Sequence, residues 1–131
     1  MPAKTVAYFR PGQDITGLAT TDVTAERIAY FATPPAGSDQ IVHVQATRDE
    51  AGEIPAGVVG FAVPAGQTTH VAVSGVQPIL TATEARKGQA AYADAEGRVT
   101  TDSAAGANAH VGVYVRPAAA NSAAVVKLNL S

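Results

Sequence analysis

The sequence predicts an all-β fold, a small β-barrel or sandwich of short antiparallel strands with an extended N-terminal arm. Short runs rich in valine, isoleucine, threonine and tyrosine recur along the chain, which is typical of strands. Proline and glycine separate these runs, so that one strand and its turn take about 8–12 residues, the spacing of barrels and sandwiches. We therefore expect one domain over residues 1–131, which consists of an N-terminal arm at 1–10 and a β-domain at 11–131.

Five of the predicted strands lie in the arm and the first half of the chain. The arm contains a predicted strand, because its run includes the apolar residues Val6, Tyr8 and Phe9. Apolar side chains this close to a terminus need a surface to cover. The later runs alternate apolar and polar residues or are rich in β-branched residues, and they end at proline or glycine turns. The five segments are 5–10, 27–32, 40–46, 57–63 and 68–74.

Four further strands are predicted in the second half, again on alternation and β-branched content. They are 76–82, 89–94, 110–116 and 124–130. Helical signal is confined to single turns at 24–28 and 83–87. Neither turn is long enough to be stable as an isolated helix, so the all-β prediction stands.

The composition predicts a thin hydrophobic core. The chain has 28 alanines and 33 larger apolar residues, of which 16 are valine and none is tryptophan. A fully buried large side chain contributes about 1.5–3 kcal/mol, and the sum must offset the conformational entropy of the chain. Charged residues make up only 15%, below the roughly 25% of typical domains. Both features indicate a protein that buries part of its surface against a partner.

Several classes of protein are excluded by the same composition. No apolar run approaches the roughly 18 residues of a membrane span, so no membrane is expected as a partner. The 9 Lys and Arg residues against 11 Asp and Glu give a net charge of −2 without a basic patch, so nucleic acid is not an expected partner either. The absence of cysteine excludes disulfides and thiolate ligands. No glycine-rich phosphate-binding motif occurs, and no cofactor is predicted.

The histidines and acidic residues do not form a catalytic pattern. Each histidine lies in a different predicted strand, and the first two take the phase opposite to their valine neighbours, which predicts a solvent or interface face. A three-histidine metal site is geometrically possible, but no adjacent carboxylate would orient the rings. The acidic residues of 49–53 are typical of a solvated loop, and Asp94 and Glu96 of a turn. We expect neither an enzyme nor a metal site. The histidines are His43, His70 and His110.

A weak internal repeat relates the two halves. Residues 59–63, a turn and 71–73 resemble residues 111–115, a loop and 126–128. Each copy predicts a hairpin, with Gly60 and Gly112 at equal positions where a bulge or a close approach of backbones is allowed. Two such hairpins could close one small barrel from opposite sides, or the likeness could be chance in strands rich in valine, glycine and alanine.

A set of short motifs resembles a known family. Residues 94–100 read Asp-Ala-Glu-Gly-Arg-Val-Thr and follow a strand that contains Tyr92. A Val-Gly-Val strand at 111–113 comes next, and a Pro-Gly-Gln-Asp segment at 11–14 lies upstream. Over most of residues 8–130 the sequence resembles the small capsid decoration, or cement, proteins of tailed phages.

The resemblance implies a structural virion protein without catalytic activity. Such proteins are made in the bacterial host cytoplasm and bind the outer surface of an icosahedral capsid, commonly as homotrimers, where they stabilise the lattice of the major capsid protein. The arm is the candidate capsid-binding segment, because an extended segment is able to add a strand to a partner sheet. Whether the arm instead covers its own sheet stays open. Its candidate contact residues are Lys4, Val6, Tyr8, Phe9 and Arg10.

The alternative is a surface-displayed module for carbohydrate binding or host adhesion. Small β-domains bind sugars on exposed aromatic rings, and here aromatic residues make up only 5% of the chain with no tryptophan. The composition therefore counts against this alternative.

Overall fold

The computed structural model describes residues 15–34, 36–37 and 42–130. Over these residues the chain forms ten strands and one turn of 3-10 helix at Ala104–Gly106, which confirms the predicted all-β class. The predicted arm, with its strand at 5–10, lies outside the described residues.

The ten strands form two closed barrels of five strands each. The first barrel consists of β1 (Ile15–Ala19), β2 (Ile28–Phe31), β3 (His43–Gln45), β4 (Gly57–Val59) and β5 (Thr68–Ala72). The second consists of β6 (Ser74–Thr81), β7 (Ala90–Ala93), β8 (Val99–Thr100), β9 (Ala109–Tyr114) and β10 (Ser122–Asn129).

Both barrels have the same topology, so the chain is a structural duplication. In each barrel the first strand pairs in parallel with the third and antiparallel with the fifth. The second strand pairs antiparallel with the third and fourth, and the fourth with the fifth. Strands β1 to β5 therefore correspond in order to β6 to β10. Two isolated bridges also correspond, Val23 with Val63 and Ala85 with Ala118.

The duplication extends to the turns. Glu26 has a φ of 62° and Gly88 a φ of 84°, each two residues before the second strand of its barrel. Such left-handed positions favour glycine, so Glu26 in the first repeat is conformationally less favourable than Gly88 in the corresponding turn of the second. The predicted helical turns at 24–28 and 83–87 are wrong for this reason, because a left-handed residue in or beside each segment reverses the chain instead of continuing a helix.

The internal repeat is thus real, but its register and arrangement differ from those the sequence predicts. Ile28 pairs with Val58 in the first barrel, as Ala90 pairs with Val113 in the second. This matches Gly112 to Gly57, not to Gly60. Each hairpin closes its own barrel, so a single barrel closed from opposite sides is wrong.

Most predicted strands are confirmed, with two omissions. Strands β1 and β8 were not predicted, and the segment 57–63 is a strand only as far as Val59. β8 has two residues, too few for alternation to be visible in a sequence. The barrel interiors are lined mainly by valine and alanine, as the composition requires; the largest side chains inside the second are Ile79 and Tyr114.

One outer wall of the first barrel joins the two barrels. Ile28, Tyr30 and Val58 alternate with residues of the first barrel's interior and so point outward. Each is 3% exposed or less, because all three belong to the buried cluster of the second barrel. We call this the covered wall.

The turn at 94–97 of the second barrel locks onto the covered wall through its backbone. All four of its carbonyl groups accept hydrogen bonds from the first barrel. Tyr30 Oη donates to the Asp94 carbonyl (2.6 Å) and the Ile28 amide to the Gly97 carbonyl (2.7 Å). The Ala95 carbonyl accepts from the Arg48 amide (2.9 Å), and the Glu96 carbonyl from Arg27 Nη1 (3.3 Å).

The side chains of the same segment hold the turn in shape, as the sequence predicts for Asp94 and Glu96. Asp94 Oδ1 accepts from the amides of Glu96 (3.0 Å) and Arg98 (2.9 Å), and Arg98 Nε lies 2.9 Å from Asp94 Oδ2. Gly97 has a φ of 82°, and a β-carbon there would lie 2.5 Å from the Ile28 carbonyl oxygen. The Asp-x-x-Gly motif therefore joins the barrels.

The buried tyrosine of the covered wall makes folding sensitive to high pH. Burial raises the pKa of Tyr30 to about 12, and burial also raises the pKa of Tyr114. The neutral phenol is favoured in the folded chain, so the stabilisation is complete below about pH 10 and is lost as the pH rises toward 12. For Tyr30 the rise of the pKa from 10.0 to about 12 corresponds to about 3 kcal/mol.

We expect Tyr30→Phe to lower the free energy of unfolding by about 1–2 kcal/mol at pH 8, because the Asp94 carbonyl loses a buried donor. The difference between wild type and variant should shrink as the pH approaches 12, since only the wild type loses stability through Tyr30. Urea denaturation curves at several pH values measure both. A difference that stays constant with pH would contradict this account.

Candidate interaction surface

The outer wall of the second barrel presents an exposed apolar surface. On three neighbouring strands Val76, Lys127 and Val113 lie in one row, because Lys127 pairs with both valines. In the next row Val125 pairs with Pro78, and its carbonyl accepts from the Val115 amide. Residues two apart on a strand share a face, so the two rows are contiguous. We define the valine face as Val76, Pro78, Val113, Val115 and Val125.

The valine face is accessible to a partner. Val76 is 57% exposed, Val115 46% and Val113 39%. Lys127 is the charged residue that lies among them, while the ion pairs of Arg98 with Asp94 and Glu96 belong to the turn that joins the barrels. Contiguous exposed apolar patches of this kind mark interaction sites.

The fold itself does not require this surface, because the first barrel lacks it. The positions of Pro78, Val125 and Val115 are taken there by Thr16, His70 and Gly60. Thr16 Oγ1 lies 3.2 Å from His70 Nδ1, and the ring of Phe61 meets the His70 ring edge-on at 5.8 Å. The two repeats keep one topology and differ in the chemistry of this wall.

The valine face was not predictable from the run at 111–115, because β9 contains a β-bulge. The Val-Gly-Val-Tyr-Val run at 111–115 is typical of one buried strand. The pairing of β7 with β9 shifts between Ala91 and Tyr92, which places an extra residue on β9. Val111 is therefore buried although Val113 is exposed. The alternation along β10 was a usable signal: Val126 and Leu128 are buried, and Val125 and Lys127, which alternate with them, lie on the outer side. This pattern could have indicated an apolar outer face.

The structure separates the histidines. His43 is buried, at 2% exposure, so of the predicted solvent or interface face the solvent-exposed position is wrong for it. It lies next to the interior residue Val44 on β3, so its side chain is on the opposite face of the strand. His70 and His110 are exposed, as predicted. Across the described residues no three His, Asp or Glu side chains lie close enough together to hold a metal ion.

The other predicted site residues are placed as follows. The acidic loop at 49–53 is largely exposed, with the Asp49 amide donating to Glu53 Oε1 (3.1 Å). The capsid-binding arm lies outside the described residues, so its role stays a prediction. Within 15–34, 36–37 and 42–130, no helix is long and apolar enough to cross a membrane. The arm residues concerned are Lys4, Val6, Tyr8, Phe9 and Arg10.

Comparison with known families decides what kind of protein presents this surface. The sequence profile described as "Phage cement protein" matches residues 9–130. The chain belongs to the phage cement protein family. It is accordingly a capsid-associated structural protein of the phage head, as the sequence motifs predict. A comparison with curated proteins finds no match.

A solved structure shares the fold of this phage cement protein. The N base of head fiber gp8.5 of bacteriophage phi29 superposes with a TM-score of 0.65 at 18% identity, over 91% of this chain and 95% of that chain. At this identity the likeness shows a common fold. The paired barrels are therefore an architecture that a second phage head protein also uses.

Proposed function

We propose that this phage cement protein binds the exterior of its icosahedral capsid and stabilises the lattice of the major capsid protein, as a structural component without catalytic activity. The observation that carries the proposal is the family match over residues 9–130. The exposed valine face supports it, because such a surface is suited to a partner protein. The protein is made in the bacterial host cytoplasm and resides on the outer surface of the virion.

Self-association as a homotrimer is part of the proposal. The barrel interiors are built mainly from valine and alanine, which bury little area per residue. A symmetric oligomer that covers exposed valines gains about 1.5 kcal/mol or more for each fully buried side chain. Repeated symmetric contacts then add up over the capsid.

The arm is proposed to contact the capsid. An extended segment adds as a strand to the edge of a partner sheet, where backbone hydrogen bonds give affinity and alternate side chains give register. Tyr8 and Phe9 are the proposed anchors, because aromatic side chains dominate interface energetics. Lys4, Val6 and Arg10 lie along the same segment.

The proposal is tested on heads of the cognate phage assembled without this protein. Purified protein added to such heads should co-sediment with them, raise by several degrees the temperature at which they break, and appear on their outer surface by electron cryomicroscopy. An unrelated β-protein of similar size serves as the control. Protein that does not sediment with heads, or that binds without raising their stability, contradicts the proposed cementing role.

A further inference from the structure

The internal duplication gives the second barrel a counterpart of the covered wall. The strand registers match Ile28 and Val58 to Ala90 and Val113. On the second strand of each barrel, Tyr30 likewise matches Tyr92. We call Ala90, Tyr92 and Val113 the open wall. It adjoins the valine face through Val113.

The open wall repeats the shape of the covered wall but lacks its cover. Tyr30 is fully buried, whereas Tyr92 and Ala90 are partly exposed and Val113 is 39% exposed. The Tyr92 ring packs edge-on against His110, with ring centroids 5.5 Å apart. The second barrel thus presents to solvent a wall that in the first barrel is an interface.

The backbone of the open wall is also oriented for docking. In the first barrel the Arg27 carbonyl accepts a hydrogen bond from the Val59 amide of β4 (2.8 Å). The amide of the following residue, Ile28, points to the opposite side of the strand and donates to the Gly97 carbonyl of the second barrel (2.7 Å). In the second barrel the Tyr114 amide donates to the Gln89 carbonyl (2.9 Å). The amide of Ala90 is therefore directed away from β9 in the same manner.

The first barrel carries the counterpart of the surface that covers a wall. The second barrel contacts the covered wall through the turn at 94–97, and Ala93 and Val111 belong to the buried cluster that contains this wall. Phe31 corresponds to Ala93, since each residue is the last of the second strand in its barrel. Phe31 is 49% exposed. Since Gly57 matches Gly112, Ala56 corresponds to Val111. Ile54 lies two residues before Ala56 and is 68% exposed. We call Phe31 and Ile54 the open end.

The open wall offers a hollow for an apolar side chain and a basic residue beside it. A hollow of about 350 Å³ lies beside Val113 between β9 and β10, and it offers space for an isoleucine or phenylalanine side chain. Lys127 lines this hollow. Ile54 directly follows Glu53, the last residue of the acidic loop at 49–53. An acidic group at the open end would therefore approach a basic group at the open wall.

We propose that the open end of one copy docks on the open wall of a second copy, in the way that the second barrel docks on the first within the chain. The inference rests on the self-association in the proposed function and names its surfaces. The contact is head-to-tail, because each copy contributes a different patch. Every copy keeps one free end and one free wall until the assembly closes into a ring.

Two single variants and their mixture test this arrangement. Val113→Glu alters the wall and Ile54→Glu alters the end; each should weaken self-association at least about tenfold. The matched control is Phe61→Glu, an exposed apolar residue outside both patches (48% exposed). Sedimentation velocity gives the mass of each species, and thermal unfolding checks that each variant is folded.

The mixture of the two variants gives the decisive readout. The wall variant retains an intact end and the end variant an intact wall, so together they should form a dimer although each alone is a monomer. A mixture that stays monomeric, or a folded wall variant that assembles like the wild type, would overturn the assignment of the surfaces while self-association itself stands. A wild type that stays monomeric at all concentrations would overturn both the assignment and the self-association proposed above.

Discussion

Deletion of residues 1–10 is expected to abolish binding to capsids while leaving the protein folded. The strands that the structure describes lie within residues 15–129, and β1 pairs directly with β3 and β5. The deletion removes Tyr8 and Phe9, the two proposed anchors, and an aromatic anchor at the centre of an interface is worth about 2 kcal/mol or more. We therefore expect the affinity for capsids to fall at least about 100-fold.

Co-sedimentation with cognate heads measures the affinity, and circular dichroism with thermal unfolding checks the fold. The double variant Tyr8→Ala and Phe9→Ala should reproduce most of the loss, whereas Lys4→Ala, which removes one positive charge and no aromatic ring, should cost less than tenfold. Binding of the truncated chain at full strength would refute the role of the arm. A truncated chain that fails to fold would instead place the arm in the β-domain.

The fold class was accessible from the sequence because alternation and turn residues are local signals. The run around Tyr30 and the run at 124–130 give strands in the structure near their predicted positions. The duplication was only partly accessible, since Val-Gly sequences look alike in any register and the pairing that distinguishes Gly57 from Gly60 is long-range. Long-range pairing is not encoded in local periodicity.

The candidate surfaces were the least accessible part. Val113 is exposed because a bulge on β9 changes the phase of the strand, and a bulge depends on the partner strand. His43 is buried because other parts of the chain cover the outer side of a short barrel strand. In contrast, the turn at 94–97 was predicted correctly, since Asp94 and Gly97 are local turn signals. What the sequence did not reveal is that this turn joins two barrels.

The same duplication separates a wall that is buried within the chain from the corresponding wall that we propose as a binding surface. The covered wall around Tyr30 is completed within the chain, so two small barrels share a buried cluster that neither would have alone. The second barrel keeps the corresponding wall and the valine face in solvent. A protein that has to fold first and bind its neighbours afterwards benefits from this division, because folding does not use up the binding surface.

Gly112→Ala is expected to destabilise the protein by about 3 kcal/mol or more. A β-carbon at this position would collide with the carbonyl oxygen of Lys127 on the neighbouring strand, and backbone atoms have little room to move. The register of β9 with β10 runs through this point, with Gly112 opposite Leu128. Separating the two strands would open the second barrel, so unfolding should begin there.

Two further glycines turn this expectation into a test of the duplication. Gly57→Ala should be comparably damaging, because its β-carbon would lie 2.5 Å from the Ala72 carbonyl oxygen, the corresponding contact in the first barrel. Gly60→Ala is the matched control: its β-carbon would lie 3.4 Å from the His70 carbonyl oxygen, and we expect a loss below about 1 kcal/mol. Denaturant unfolding of the three variants decides the register. If Gly60→Ala proved as damaging as Gly112→Ala while Gly57→Ala were tolerated, the repeat would run in the register suggested by the sequence, and the correspondence between the open and covered walls would fail with it.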